Sequence, residues 1–141
     1  MSKDNKGLAL ITGTTSGVGL NTLKPLIRFG WEVIAVNRSN KRAITIAEEF
    51  LTKEEFNNVH FLEIDLSNLD DVRKGCNEIL DRFKKPINSL ICNAAVYKPR
   101  LKRPERSPQG FENSMAVNHF GHFLMINLLM DKILSSEREI S

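Results

Sequence analysis

The chain has 141 residues, 41% of them apolar and 26% charged, with 20 Lys plus Arg against 17 Asp plus Glu. That balance fits one globular domain with a sizeable core and excludes a disordered polyelectrolyte. A net charge of +3 is weak grounds for a nucleic-acid binder, and no run of 18 apolar residues is present to span a bilayer.

The first element in the chain is a short apolar strand, Gly7–Thr12. The few residues ahead of it leave no room for a signal or transit segment, which points to a cytoplasmic protein. A Gly-rich turn follows, Thr12-Gly13-Thr14-Thr15-Ser16-Gly17-Val18-Gly19, and leads into a helix over residues 17–29. A second strand over 31–36 ends in Asn37-Arg38-Ser39, before a helix over 40–53 with Ile44, Ala47, Phe50 and Leu51 at helical spacing. The third strand, 59–64, closes on Asp65-Leu66. Ser67 or Asn68 caps the next helix, whose apolar face runs from Leu69 to Phe83 and which Pro86 ends. A fourth strand over 89–92 opens into Asn93-Ala94-Ala95, and the proline-rich stretch 98–109 reads as a loop. The last helix starts near Gly110 or Phe111 and runs to about Leu134. Cys76 and Cys92 sit in apolar patterns without C-x-x-C spacing, so both are expected to be buried, reduced thiols.

Strands alternating with helices imply a parallel sheet covered on both faces. Right-handed crossovers make 3-2-1-4 the natural order, with a switch point between strands 1 and 4. Ligands bind at the carboxyl ends of strands beside such a switch. Gly13, Asn37, Asp65 and Asn93 are the residues that this chain puts there. The outer edge of strand 4 is apolar and unprotected, as though further strands were cut away.

Glycines at 13, 17 and 19 suit a tight turn that brings backbone amides and a helix N-terminus up to a pyrophosphate, with Thr14, Thr15 and Ser16 adding hydroxyls around Val18. No Gly-Lys-Ser/Thr follows, which disfavours an ATPase phosphate loop. At the end of strand 2 no carboxylate is available for a ribose diol. Arg38, Ser39, Lys41 and Arg42 suit a 2′-phosphate instead, which selects NADPH over NADH; the alternative is a basic, solvated helix start. Asp65, with Leu66, either reads an adenine amino group or caps a helix. Ala94 and Ala95 leave space for a sugar-phosphate chain. In the last helix, Asn118 and His122 share a face at i,i+4, and an Asn-propped carbonyl there can hold a water. His119 and His122 lack a third partner for a metal, because His60 belongs to the opposite end of the sheet. The basic run from Lys98 to Arg106 is either a solvated loop or a surface for an anionic substrate, nucleic acid or membrane.

Together, the Thr12–Gly19 turn, Asp65-Leu66, Asn93-Ala94-Ala95 and Asn118 resemble the N-terminal half of the short-chain dehydrogenase/reductases. Within them, Ile91-Cys92-Asn93-Ala94-Ala95-Val96-Tyr97-Lys98-Pro99, Arg106-Ser107-Pro108-Gln109-Gly110-Phe111-Glu112 and Asn118-His119-Phe120-Gly121-His122-Phe123-Leu124 are similar to the light-dependent NADPH:protochlorophyllide oxidoreductases. Retinol-type reductases share some of these segments. The resemblance implies a Rossmann-type doubly wound sheet and hydride transfer from NADPH to a tetrapyrrole after light absorption. It also implies a supporting catalytic role for Asn118, self-association, and peripheral attachment to photosynthetic membranes. The family's Tyr-x-x-x-Lys proton-donor pair is absent: the one tyrosine is Tyr97, and Leu101 stands four positions on. The chain alone is therefore expected to be catalytically inactive. The competing expectations are another reductase, a non-catalytic nucleotide-binding or oligomerisation module, and a nucleic-acid binder.

Overall fold

A computed structural model describes residues 5–138. Four strands, β1 (Gly7–Thr12), β2 (Trp31–Asn37), β3 (Val59–Glu63) and β4 (Ile87–Ile91), form one sheet in the order β3-β2-β1-β4. Every pairing is parallel, with Gly7 opposite Trp31 and Val33 opposite Val59. The expected order 3-2-1-4 is the one observed.

The sheet is covered on both sides because its strands are apolar at odd and even positions alike. Leu8, Leu10, Ile34 and Val36 point to one face, where α4 (Leu69–Arg82) and α6 (His122–Arg138) supply Val72, Cys76, Ile79, Met125 and Leu129. Ile11, Val33 and Ala35 point to the other, against Leu23 and Ile27 of α1 (Gly17–Arg28) and Ala47 of α2 (Asn40–Phe50). Burying a side chain of that size contributes about 1.5–3 kcal/mol. This two-sided core holds the strand ends rigidly beside one another.

Several element ends differ from expectation by a residue or more, and at three of them the physical reason is visible. The helix anticipated over 40–53 ends at Phe50, and a separate one-turn helix α3 (Lys53–Phe56) follows. Thr52 and Glu55 form a reciprocal capping box that starts it. Strand β4 begins at Ile87, directly after Pro86. Its polar Asn88 disguised that start, yet the Asn88 Oδ1 accepts the Leu8 amide at 2.9 Å where the β1–β4 register shifts. The last helix starts at Asn113 because both Glu112 carboxylate oxygens take first-turn amides, those of Ser114 and Met115 at 3.0 Å. From the short α5 (Asn113–Met115) the chain passes through a π-helical segment (Ala116–Gly121) into α6.

Cys76 is buried in α4, and burial pushes its thiol up to about 11. Cys92 is exposed, contrary to expectation, because it follows the last paired residue of an edge strand.

Candidate functional site

The glycine turn is tightened from below by neighbours that tolerate no side chain on it. Gly13 has φ +76°, and a Cβ there would stand 2.9 Å from the Ala94 Cα. Gly17 has φ +56° with open space before it, whereas a Cβ on Gly19 would collide with the Gly13 carbonyl oxygen. Two asparagines hold this geometry. The Thr14 amide donates to the Asn37 Oδ1 at 2.7 Å, and the Asn37 Nδ2 donates to the Thr14 Oγ1 at 2.8 Å. The Asn93 Nδ2 donates to the Thr12 and Gly13 carbonyls at 3.2 and 2.9 Å. The sequence pattern places both residues at the cofactor. Both line the cavity at the strand ends, and both also brace the turn: Asn37 is buried with both ends of its amide engaged, and the Asn93 Nδ2 is committed to the Thr12 and Gly13 carbonyls.

The start of α1 is unlike the other helix starts. Ser39, Thr52, Asn68 and Glu112 each cap the helix that follows with a side-chain oxygen. Ser16 makes no such bond, and the first turn of α1 holds no acid. Unsatisfied amides and the positive end of a helix dipole are thus presented together, an arrangement that an anion completes.

These groups border a cavity of about 490 Å³ at the carboxyl ends of the strands. Gly13, Thr15, Ser16 and Val18 form one wall, and Ala94 and Ala95, after β4, contribute methyl-sized lining. Asp65 and Leu66, after β3, line another side. The Asp65 Oδ1 accepts from the Ser67 amide and hydroxyl at 2.9 and 2.7 Å, whereas the cap of α4 is Asn68. Of the two roles read from sequence for Asp65, the structure removes helix capping. Arg38, Ser39 and Arg42 gather after β2. Lys41, named for the same role, lies outside the lining. One residue is about 100° of helical rotation, and α2 turns Arg42 rather than Lys41 to the cavity. The nearby Glu63 carboxylate is taken by the Asn40 amide at 2.9 Å and is outside the lining. The lining residues after β2 thus offer cationic donors without an acid, which suits a phosphate ester better than a diol.

Sequence reasoning missed Asn113 and Val117, which close the cavity from α5 and the π segment. Their placement comes from a compact loop. The Gln109 Oε1 accepts from the Leu69 amide at 3.1 Å, its Nε2 donates to the Asn68 Oδ1 at 3.2 Å, and the Asn113 amide donates to the Glu105 carbonyl at 2.9 Å. The Glu112 of α5's cap gives a local signal, because two backbone amides hold its carboxyl below the usual carboxylate range.

Asn118 sits inside the π segment, and its side chain pairs with one residue twice. Its Oδ1 accepts the Val96 amide at 2.7 Å, and its Nδ2 donates to the Val96 carbonyl at 2.9 Å. This two-way bond ties the chain leaving β4 to the last helix. Asn118→Ala is expected to destabilise the protein by about 1–2 kcal/mol, as two hydrogen bonds are exchanged for water. Urea denaturation at an unchanged m-value measures it. The i,i+4 partner His122 turns inward instead, to Thr12.

Elsewhere, Glu32 pairs with His60 and Lys85 at 2.7 Å each, at the start of the strands and remote from the cavity. In the basic run, Lys98 pairs with Glu105 at 2.7 Å and Arg106 donates to the Gly110 carbonyl at 2.8 Å; Arg100, Lys102 and Arg103 are exposed. Among the described residues, no three His, Cys, Asp or Glu side chains are grouped to hold a metal ion. Among them, too, no helix is long and apolar enough to cross a membrane.

Known proteins are similar to this chain in sequence and in fold. The chain is 41% identical over 134 residues to the chloroplastic protochlorophyllide reductase of Daucus carota, an alignment covering 94% of this chain and 33% of that protein. It is 38% identical over 137 residues to protochlorophyllide reductase A of Arabidopsis thaliana, covering 94% of this chain and 32% of that one. The chain thus spans about a third of the length of these relatives. Among solved structures, an alcohol dehydrogenase from Thermococcus sibiricus, complexed with 5-hydroxy-NADP, superposes with a TM-score of 0.71 at 26% identity, over 90% of this chain and 53% of that one. A 3-ketoacyl-(acyl-carrier-protein) reductase from Brucella melitensis, complexed with NADH, gives 0.70 at 26%, over 91% and 50%. The family model for short chain dehydrogenase matches residues 7–139, and the chain belongs to that family.

Proposed function

We propose that this chain is the cofactor-binding part of an NADPH-dependent reductase that converts protochlorophyllide to chlorophyllide in light. The observation that carries the substrate is the 41% identity, over nearly all of this chain, to a protochlorophyllide reductase. The cofactor rests on the cavity: an uncapped α1 start on one side and Arg38, Ser39 and Arg42 on another, with no acid at the end of β2.

In this reading the amides of Thr15 to Gly19 bind the pyrophosphate, and Gly13 and Gly19 keep the turn low enough for it to approach. Arg38 and Arg42 hold the 2′-phosphate. Asp65 and Leu66 border the adenine, and Ala94 and Ala95 leave room for the ribose chain. When bound, NADPH supplies the hydride. Asn118 keeps the Val96 backbone fixed beside the site through its paired bonds. The chain's one tyrosine, Tyr97, is 85% exposed, with Leu101 four residues on, so a Tyr-Lys proton-donor pair is not among these residues. A large anionic tetrapyrrole also suits the exposed cations Arg100, Lys102 and Arg103 better than a small neutral alcohol does.

The test is illumination of the full-length protein with NADPH and protochlorophyllide. Chlorophyllide absorbance is expected to rise in the light and not in the dark, and to rise less with NADH. Reduction of a retinoid in the dark, with protochlorophyllide untouched, would replace this substrate with that of a retinol-type reductase.

A further inference from the structure

We propose that His122 is a positioning residue. Its neutral imidazole, protonated on Nδ1, locks the end of β1 to the π segment and thereby holds the glycine turn for NADPH. The proposal rests on the cofactor reading above.

The hydrogen-bond inventory around Thr12 requires that tautomer. The Thr12 hydroxyl has one proton and two lone pairs. Its Oγ1 accepts the amides of Asn93 and Ala94, both at 3.0 Å, which occupies the lone pairs. The third contact is the His122 Nε2 at 2.8 Å, so the hydroxyl must donate there and Nε2 must carry no proton. The remaining proton sits on Nδ1, 3.4 Å from the Asn118 carbonyl, to which it donates.

The π segment supplies the other half of the lock. In a regular α-helix the His122 amide would bond the Asn118 carbonyl; here it bonds the His119 carbonyl instead. The Asn118 carbonyl loses that partner and takes the His122 ring. Gly121 lets the π segment lie close to the chain that follows β3, since a Cβ there would collide with the Leu66 carbonyl. His122 as a residue is 6% exposed. Burial lowers its proton affinity, the Asn118 bond opposes this weakly, and no charged side chain contributes. The groups bonded to the ring are the Thr12 hydroxyl and the Asn118 carbonyl, neither of which carries a charge. A protonated ring would point Nε2–H at an oxygen with no lone pair left, and the neutral form avoids that conflict.

Through Thr12, the ring therefore sits one bond from Gly13 and one from the amides of Asn93 and Ala94. Through Asn118 it reaches the residue whose amide fixes Val96. Removing its acceptor frees the Thr12 hydroxyl to rotate and loosens both walls of the cavity together.

The experiment is ¹⁵N NMR of the histidine rings in the full-length protein at neutral pH, with NADPH titration of wild type, His122→Leu and His122→Gln. The expected signature is one neutral ring protonated on Nδ1 and bare on Nε2, lost in both variants. His122→Leu is expected to weaken NADPH about tenfold, and His122→Gln, whose amide oxygen can still accept from Thr12, to recover most of that. An Nε2-protonated or cationic ring overturns the proposal, as does wild-type NADPH affinity in His122→Leu. If His122→Leu does not fold, an affinity for His122→Gln near that of wild type supports the role, and a fall in it beyond tenfold opposes it. Failure of the wild type itself to bind NADPH would overturn the cofactor reading, and the ring signature would still decide the tautomer.

Discussion

Gly19→Ala is expected to remove measurable NADPH binding and to lower stability by about 2–3 kcal/mol, toward the upper end for overpacked sites. The added methyl meets the Gly13 carbonyl oxygen, which is backbone, and presses on the Asn93 amide that holds the Thr12 and Gly13 carbonyls. No flexible side chain can yield there. Either α1 lifts away from the turn or the turn opens, and both carry the uncapped amides of α1 away from their anion. Gly17→Ala supplies the comparison. Its Cβ meets nothing within 4 Å, so the cost is confined to a left-handed φ of +56°, about 1–2 kcal/mol. Fluorescence titration with NADPH and thermal unfolding should therefore rank the variants as wild type, Gly17→Ala and Gly19→Ala, in falling order. A Gly19→Ala protein that binds as Gly17→Ala does would show that α1 is not pressed on the turn.

The contrast between these two glycines also shows what a sequence can disclose. Gly13, Gly17 and Gly19 mark the turn because an apolar strand stops and a helical pattern starts around them, which is local information. The sheet order follows equally from local pattern and the handedness of crossovers. What stayed hidden depends on tertiary phase. Lys41 and Arg42 are interchangeable until the start of α2 is known to the residue. Asn113 enters the cavity only because Gln109 pins the preceding loop to α4, 40 residues away in the chain. Asn37 and Asn93 stood out correctly as polar strand ends, but their partners were invisible. A buried amide has to be satisfied by something, and in this fold that is the turn itself. The widening at Ala116–Gly121 is of the same kind, since the Leu66 carbonyl meets Gly121, and the Thr12 hydroxyl meets His122 just after it, from elements far away in sequence.

Arg38→Ala with Arg42→Ala is expected to abolish the preference for NADPH over NADH. Each guanidinium offers a charge-assisted fork to a phosphate, worth about 1.5–3 kcal/mol when the geometry is met. Both arginines are exposed, so solvent screening keeps each near the lower figure, and either alone should cost NADPH roughly tenfold in affinity. NADH lacks the 2′-phosphate, so its affinity should hardly move. The measured quantity is therefore the ratio of the two dissociation constants, which cancels any general damage to the fold. Raising the ionic strength should shrink that ratio in the wild type and leave it flat in the double variant. Lys41→Ala is the internal control. It removes the same formal charge from the same helix turn, but Lys41 does not line the cavity, so a direct contact model predicts an unchanged ratio. If Lys41→Ala lowered the ratio as far as Arg38→Ala does, the preference would come from the net positive field at the start of α2. The planar fork of donors would then not be what selects the phosphate.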